Sequence, residues 1–302
     1  MNTHPTLDIP GRTSISFIIN PNSGSGSQDP SDTILTLARS LGWSGHDYRT
    51  TLEADATQMA KKAIADGATR LVVCGGDGTL MEVAQAVAKT GIELAVVPLG
   101  TGNLLARNLD LPMNVEEAVR LALSGTPAII DCGLANGTYF LINAGIGLDA
   151  QIMAHTSSES KEKLGALAYV LSAVKSARGR SSKFSITVNG QKASYHRAKS
   201  VFVANMGKIQ AGIPIIREAR EDNGQLSMAV IEASSPLEWL SLIFNMIRRR
   251  PHKSTGYWTV TGKEILVSVH GKALPYQCDG NDFPSTTCLH MEAIPDGIVV
   301  IR

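Results

Sequence analysis

At positions 71–74 four apolar residues, LVVC, run directly into Gly75-Gly76-Asp77-Gly78-Thr79. That loop opens onto Leu80, Val83, Ala84 and Val87, spaced as one face of a helix. A short apolar strand, a glycine loop and an amphipathic helix form one unit that buries its surfaces only inside a layered α/β sheet. Glycine lets backbone approach a phosphate closely, and the first N–H groups and positive dipole end of the next helix face an anion. For one such loop the simpler account is a tight turn in which glycine only supplies positive φ. Asp77 within the loop calls for a partner: a ribose hydroxyl, a metal or a reacting proton.

The same alternation surrounds this unit. ISFII at 15–19 reads as a buried strand, and Ile34, Leu37, Ala38 and Leu41 follow at helical spacing. Ala56, Met59, Ala60 and Ala63 give a second helix, with Gly67 as its stop. LAVVP at 94–98 is another strand, and Asn114 with Glu117 caps a helix ending near Gly125. Right-handed βαβ units and a parallel sheet follow. From about Asp131 the pattern changes, with Asn136-Gly137 and Asn189-Gly190 as hairpin turns and Phe184, Ile186 and Val188 at period two. Strand-like runs follow at 200–205, 226–232 and 264–270, and a last one after a turn at Pro295-Asp296-Gly297. Two helical segments interrupt them, at 161–177 and 236–249. The expected organisation is an α/β domain over 1–131 abutting an antiparallel β-sandwich over 132–302, with a cleft between.

Two further loops lie at carboxyl ends of predicted strands, where open α/β sheets bind ligands: Asn20-Pro21-Asn22-Ser23-Gly24-Ser25-Gly26 and Pro98-Leu99-Gly100-Thr101-Gly102-Asn103. Three such loops on one edge are hard to attribute to turns alone. None has the spacing of a Walker loop or of G-x-G-x-x-G. Gly145 to Ala150 does match G-x-G-x-x-A, but no acidic residue stands about 20 positions later, so it reads as a structural loop.

Composition excludes several classes. With 302 residues, 43% apolar, 18% charged and a net charge of +1, the chain is neither disordered nor a broadly basic binder, and no nucleic-acid partner is expected. Four cysteines without a C-x-x-C pair suggest neither a zinc framework nor a disulfide scaffold, and the seven histidines lack metal-ligand spacing. The first residues lack the pattern of a secretory signal, and no apolar run approaches about 18 residues. A cytoplasmic protein is expected, at most peripheral at the inner membrane face.

The runs GGDGTLMEVAQAV (75–87), PLGTGNLLARNL (98–109) and NPNSGSG (20–26) resemble the signature loops of the diacylglycerol kinase catalytic family, in its soluble bacterial lipid-kinase branch. Sphingosine and ceramide kinases are related to it. The likeness continues at 129–150, 163–179, 221–232 and 276–282. It implies an NAD kinase/diacylglycerol kinase-like α/β domain, a β-sandwich holding the acceptor lipid site, ATP and Mg²⁺, and phosphoryl transfer to a hydroxyl of a lipid such as diacylglycerol. By position it assigns nucleotide contacts to Asn20, Ser23, Gly24, Thr50, Gly75, Gly76, Asp77, Gly78, Thr79, Leu80, Met81, Thr101 and Asn103. Asp131 matches an aspartate of a water and metal network, and Asp77, Asp222 and Asn223 fall at metal positions.

Two departures stand out. The family's D-G-E motif, whose glutamate serves as general base, reads Asp279-Gly280-Asn281 followed by Asp282. Asparagine accepts no proton at neutral pH, so either Asp279 or Asp282 takes over or activity is reduced. The D-G of a structural metal site becomes Asn223-Gly224, with Asp222 one residue earlier. The expected mechanism lays ATP across the loops with Mg²⁺ organised by Asp77 and Asp131, and a carboxylate at 279 or 282 assisting the acceptor from across the cleft. A nucleotide-binding lipid sensor without turnover stays open, as does a kinase of a soluble acceptor such as NAD, because NAD kinases share the G-G-D-G loop. In the helix from Pro236, Trp239, Leu240, Ile243, Phe244 and Ile247 share a face followed by Arg248-Arg249-Arg250. That pattern suits either packing on a sheet or lying on an anionic membrane. A homodimer is compatible with everything above.

Overall fold

The computed structural model describes residues 14–24, 29–51, 53–147, 181–207, 216, 219–233, 235–248 and 253–302. The expected helix at 161–177, the ends of two loops (Ser25-Gly26 and 148–150) and Arg249-Arg250 lie outside these residues. The apolar runs of the first half form β1 (Ile15–Ile19), β2 (Asp47–Arg49), β3 (Arg70–Gly75) and β4 (Glu93–Pro98), parallel in the order β2-β1-β3-β4. Every residue of β3 is buried, because helices cover both faces of a parallel sheet. On one face α2 (Ala56–Ala65) and α3 (Asp77–Val87) pack with Leu71, Val73 and Val96. On the other, α1 (Ser31–Ser40) and α5 (Val115–Ser124) pack with Phe17, Ile19, Val72 and Val97. Short α4 (Leu104–Asn108) sits between β4 and α5. Asn114 caps α5 as its sequence predicts, accepting from the N–H groups of Glu116 and Glu117.

The second half is antiparallel. Strands β7 (Asn143–Gly147), β10 (Ser200–Ala204), β11 (Leu226–Ile231), β12 (Tyr257–Gly262), β14 (Leu274–Cys278) and β15 (Asn281–Thr286) form a six-stranded sheet in the order β12-β11-β10-β7-β14-β15. Facing it are β8 (Ser182–Val188), β9 (Ser194–Ala198), β13 (Glu264–His270) and the first part of β16 (Cys288–Ile301). Phe184, Ile186, Val267 and Met291 meet Ala144, Ile146, Val203 and Met228 in the core between the two sheets, a β-sandwich. Both predicted Asn-Gly turns form, with positive φ at each central residue.

Two sequence expectations are corrected. Pro295-Asp296-Gly297 is not a turn but a bulge inside β16, where the register with β5 (Pro127–Ala135) shifts between Ile294 and Ile298. The bulge lets one strand serve two neighbourhoods: its first part pairs with β13, and Val299 and Val300 pair parallel to β4. Strand β5 passes through the expected boundary at 131/132, pairing with β16 on one side and β6 (Thr138–Phe140) on the other. The second correction concerns α6 (Pro236–Ile247), which buries Trp239 and Leu242 against Ile231 and Ala233 and leaves Leu240 and Phe244 exposed with Leu237. The expected single face is therefore divided.

Arg70, on β3, joins that strand to β4 and to the end of α5. Its Nε pairs with Glu93 at 2.6 Å, and its other nitrogens donate to the carbonyls of Ala122, Leu123 and Gly125 at the end of α5. A buried cation there answers both a carboxylate and the negative end of a helix dipole. Replacing it strands Glu93 and several carbonyls. Arg70→Met is expected to lower stability by about 3 kcal/mol, read from the shift in urea midpoint.

Candidate functional site

The three glycine-bearing loops meet at the carboxyl edge of β1, β3 and β4. Asn20 N–H donates to the Cys74 carbonyl and Leu99 N–H to that of Gly75, both at 3.0 Å, so the strand ladder continues into the loops. Asn20 Nδ2 also donates to Thr79 Oγ1 at 3.2 Å. The loops after β3 and β4 touch backbone to backbone. A Cβ on Gly100 would stand 2.8 Å from Gly76 Cα, and one on Gly75 would meet the Thr79 side chain at 2.6 Å. Only glycine permits this approach. Gly76, at the N-cap of α3, has no side chain to satisfy the first N–H groups of the helix, which therefore suit an anion.

Asp77 closes the arrangement. Its Oδ1 accepts from Leu104 N–H at 2.7 Å, and the N–H groups of Asn103 and Leu105 add to this. Burial pushes its carboxyl up from the ordinary range, opposed by these backbone bonds and by the Arg107 charge. Asn103 is held in the left-handed region at φ 45°, with Nδ2 donating to the Gly100 carbonyl at 2.5 Å. Its Oδ1 is buried without a hydrogen-bond partner. Ser23 N–H closes a turn onto the Asn20 carbonyl, Gly24 takes φ 123°, Thr50 follows β2 and pairs with Ile19, and Thr101 is exposed at its loop tip. Leu80 and Met81 differ, since their side chains belong to the two cores.

Across from α3 stands the end of β14. Asp279 is 7% exposed, and its carboxylate accepts from Leu141, Ile142 and Asn143 N–H at 2.6, 2.9 and 2.8 Å. Burial is the main cause that raises its pKa to about 6; the three N–H donors oppose it and the Asp77 charge adds to it. The side chain thus fastens the β6–β7 connection. Asn281 is the residue that reaches α3: its Nδ2 lies 2.8 Å from Met81 Sδ, and its Oδ1 would touch a Cβ on Gly78 at 4.0 Å. Asp282, next along β15, is exposed, while Phe283 stacks inward on Tyr276, so period-two alternation sends the Asp282 side chain to the other face from Asn281.

The remaining predicted residues serve other contacts. Asp131 accepts from Gly224 N–H at 2.6 Å and Asp296 N–H at 3.1 Å, tying a loop and the β16 bulge to β5. Asp222 pairs with Arg220 at 3.2 Å, and Asn223 Oδ1 accepts from Gln225 N–H within its own turn. Both side chains have local partners, an exposed ion pair and a turn hydrogen bond. Asp77 and Asn103 Oδ1 do offer the hard oxygens magnesium prefers, and no group of three acidic, histidine or cysteine side chains gathers among the described residues. Such a site suits an ion that arrives on phosphates, not one caged by protein.

Sequence reasoning missed the side chains that join the halves. Gln85 Nε2 donates to the Tyr139 carbonyl (2.8 Å) while its Oε1 accepts from Tyr139 N–H (2.9 Å). Asn205 Nδ2 bridges the carbonyls of Asp131 and Leu141, and within the six-stranded sheet Gln277 Nε2 donates to Asn143 Oδ1 at 2.7 Å. Their signal was an amide beside or inside an apolar strand run, as at Asn143 and Asn205.

Comparison with known proteins agrees with this geometry. The family profile described as the diacylglycerol kinase catalytic domain matches residues 14–135, and that of the YegS C-terminal NAD kinase beta sandwich-like domain matches 143–302. A Pseudomonas aeruginosa protein named "Probable lipid kinase YegS-like" is 35% identical over 187 residues, which is 59% of this chain and 60% of that protein's length. A crystal structure of a diacylglycerol kinase from Bacillus anthracis superposes with TM-score 0.76 at 25% identity, covering 95% of this chain and 96% of the other. An NAD kinase from Archaeoglobus fulgidus in complex with ATP shares the fold alone, with TM-score 0.55 at 11% identity and coverage of 95% and 93%. With both of its halves matched and its loops and sandwich in this arrangement, the chain belongs to the YegS-like lipid kinase family.

Proposed function

We propose that this protein transfers the γ-phosphate of ATP to a hydroxyl of a lipid alcohol, diacylglycerol being a member of the acceptor class. The observation that carries the reading is the backbone contact of Gly76 with Gly100 beneath an uncapped α3 N-terminus, with Asn281 opposite. Phosphoryl transfer proceeds through a loose transition state in which positioning and charge neutralisation do most of the catalysis. The first N–H groups of α3 receive phosphate oxygens, and Asn20 and Thr79 fix the neighbouring loop. Magnesium, carried on the triphosphate with Asp77 and Asn103 beside it, would neutralise charge on the transferring group. Asn281 orients the acceptor hydroxyl by hydrogen bonding but takes no proton from it.

A missing base typically costs about 10² to 10⁴ in rate, which leaves a slow kinase. It also favours a second reading, a nucleotide-binding lipid sensor without turnover. One assay separates the two: transfer of labelled phosphate from Mg-ATP into extractable lipid across a panel of lipid alcohols, with NAD as soluble acceptor. Label in a lipid is expected. ATP binding without label in any acceptor would establish the sensor, and label in NAD alone a soluble-acceptor kinase.

Asp77→Asn is expected to reduce that transfer at least about 10³-fold, because the carboxylate both closes the loops and faces the phosphates. Unchanged transfer would remove Asp77 from the site. Asn281→Glu sets a carboxylate over Gly78 and is expected to raise kcat about 10²-fold, with an acidic limb appearing in the pH–rate profile. A flat response would mean that the acceptor hydroxyl lies elsewhere.

Asp279 gives a prediction in stability. Its folded pKa of about 6 exceeds the ordinary 3.8, so the folded state holds the proton more tightly. The associated stability is complete below about pH 4 and is lost as pH rises through 6, about 3 kcal/mol in all. Urea midpoints between pH 4 and 7 should show this component in the wild type, and Asp279→Asn should flatten it.

A further inference from the structure

We propose that α6 is a membrane-docking element that lays Leu237, Leu240 and Phe244 into the headgroup boundary of an anionic lipid surface. The structure turns α6 so that Trp239 and Leu242 seal the sandwich, and three large apolar side chains point the other way. Leu237 is 77% exposed, Leu240 41% and Phe244 53%. At about 100° per residue these three and Arg248 fall on one side of the helix. The Arg248 guanidinium lies over the Phe244 ring at 4.5 Å, so the apolar stripe ends in a cation. Asn245 Nδ2 donates to Ser254 Oγ at 2.9 Å, which brings the chain back beside the helix next to exposed Lys253.

Charge selects the occupant. Between positions 236 and 253 the sequence carries four lysines and arginines against one acid, Glu238, although the whole chain is only +1. A convex apolar stripe with a cationic end matches a broad anionic interface. Docking there brings a phosphotransferase to the phase in which lipid alcohols reside. It goes beyond the reaction itself and holds whichever lipid is the acceptor.

The test is co-sedimentation, without nucleotide, with vesicles of phosphatidylcholine alone and of phosphatidylcholine with phosphatidylglycerol. The wild type is expected to bind the anionic vesicles preferentially and to release at high salt. The Leu240→Ser/Phe244→Ser variant should bind at least about tenfold more weakly. Arg248→Gln should lose about fivefold on anionic vesicles and nothing on neutral ones. Thermal unfolding at the wild-type midpoint would show that these exposed substitutions leave the fold intact. Phosphate transfer to a short-chain acceptor dispersed as monomers should be unchanged in both variants, which separates docking from catalysis. Equal binding to both vesicle types, or unaltered binding by the double variant, would overturn the proposal. So would a wild-type dimer in light scattering that the double variant splits, since the stripe would then be a subunit interface.

Discussion

The site rests on one steric condition: the peptide segments at Gly76 and Gly100 lie so close that a side chain on Gly100 would strike the Gly76 backbone. The arrangement of the loops follows from it. Contact at that point sets the start of α3 beside the start of α4, so that the Asp77 carboxylate reaches the N–H groups of residues 103–105. The result is a rigid floor made of main chain, whose geometry does not depend on the rotamer of any long side chain. Such preorganisation suits a reaction catalysed by placement.

The wall opposite is held differently. Asp279 spends its carboxylate on three consecutive N–H groups and remains buried near another acid, an arrangement that costs stability at neutral pH. Its return is a fixed β6–β7 connection and a fixed starting point for Asn281. With Gln85 clasping Tyr139 and β16 shared between the sheets, the two halves are joined through backbone groups at two places. Asn281 thereby keeps its place relative to the α3 N-terminus.

Much of this was legible in the sequence, for a physical reason. Apolar runs at period 3.6 or 2 report burial along one element, so the helices with Ile34 and Ala60 and the strand at 264–270 could be read directly. Glycines reported close backbone approach, and so the floor of the site was visible too. Periodicity carries no direction, however. In α6 it grouped Trp239 with Phe244, and only the position of the sheet decides which of them is covered. Nor does it reveal which distant amides a carboxylate will meet. The hydrogen-bond partners of Asp131 and Asp279 come from segments about 90 to 165 positions away.

The bulged β16 also governs how the protein is assembled. Residue 93 pairs with residue 299, so the parallel sheet begun near the start of the chain is closed on that side by a strand made roughly two hundred residues later. During synthesis β4 emerges as an unprotected parallel edge, with its N–H and C=O groups free to recruit a wrong strand. The closure of so large a loop is slow, which makes completion of the parallel sheet a late event and a point where chaperones have time to act.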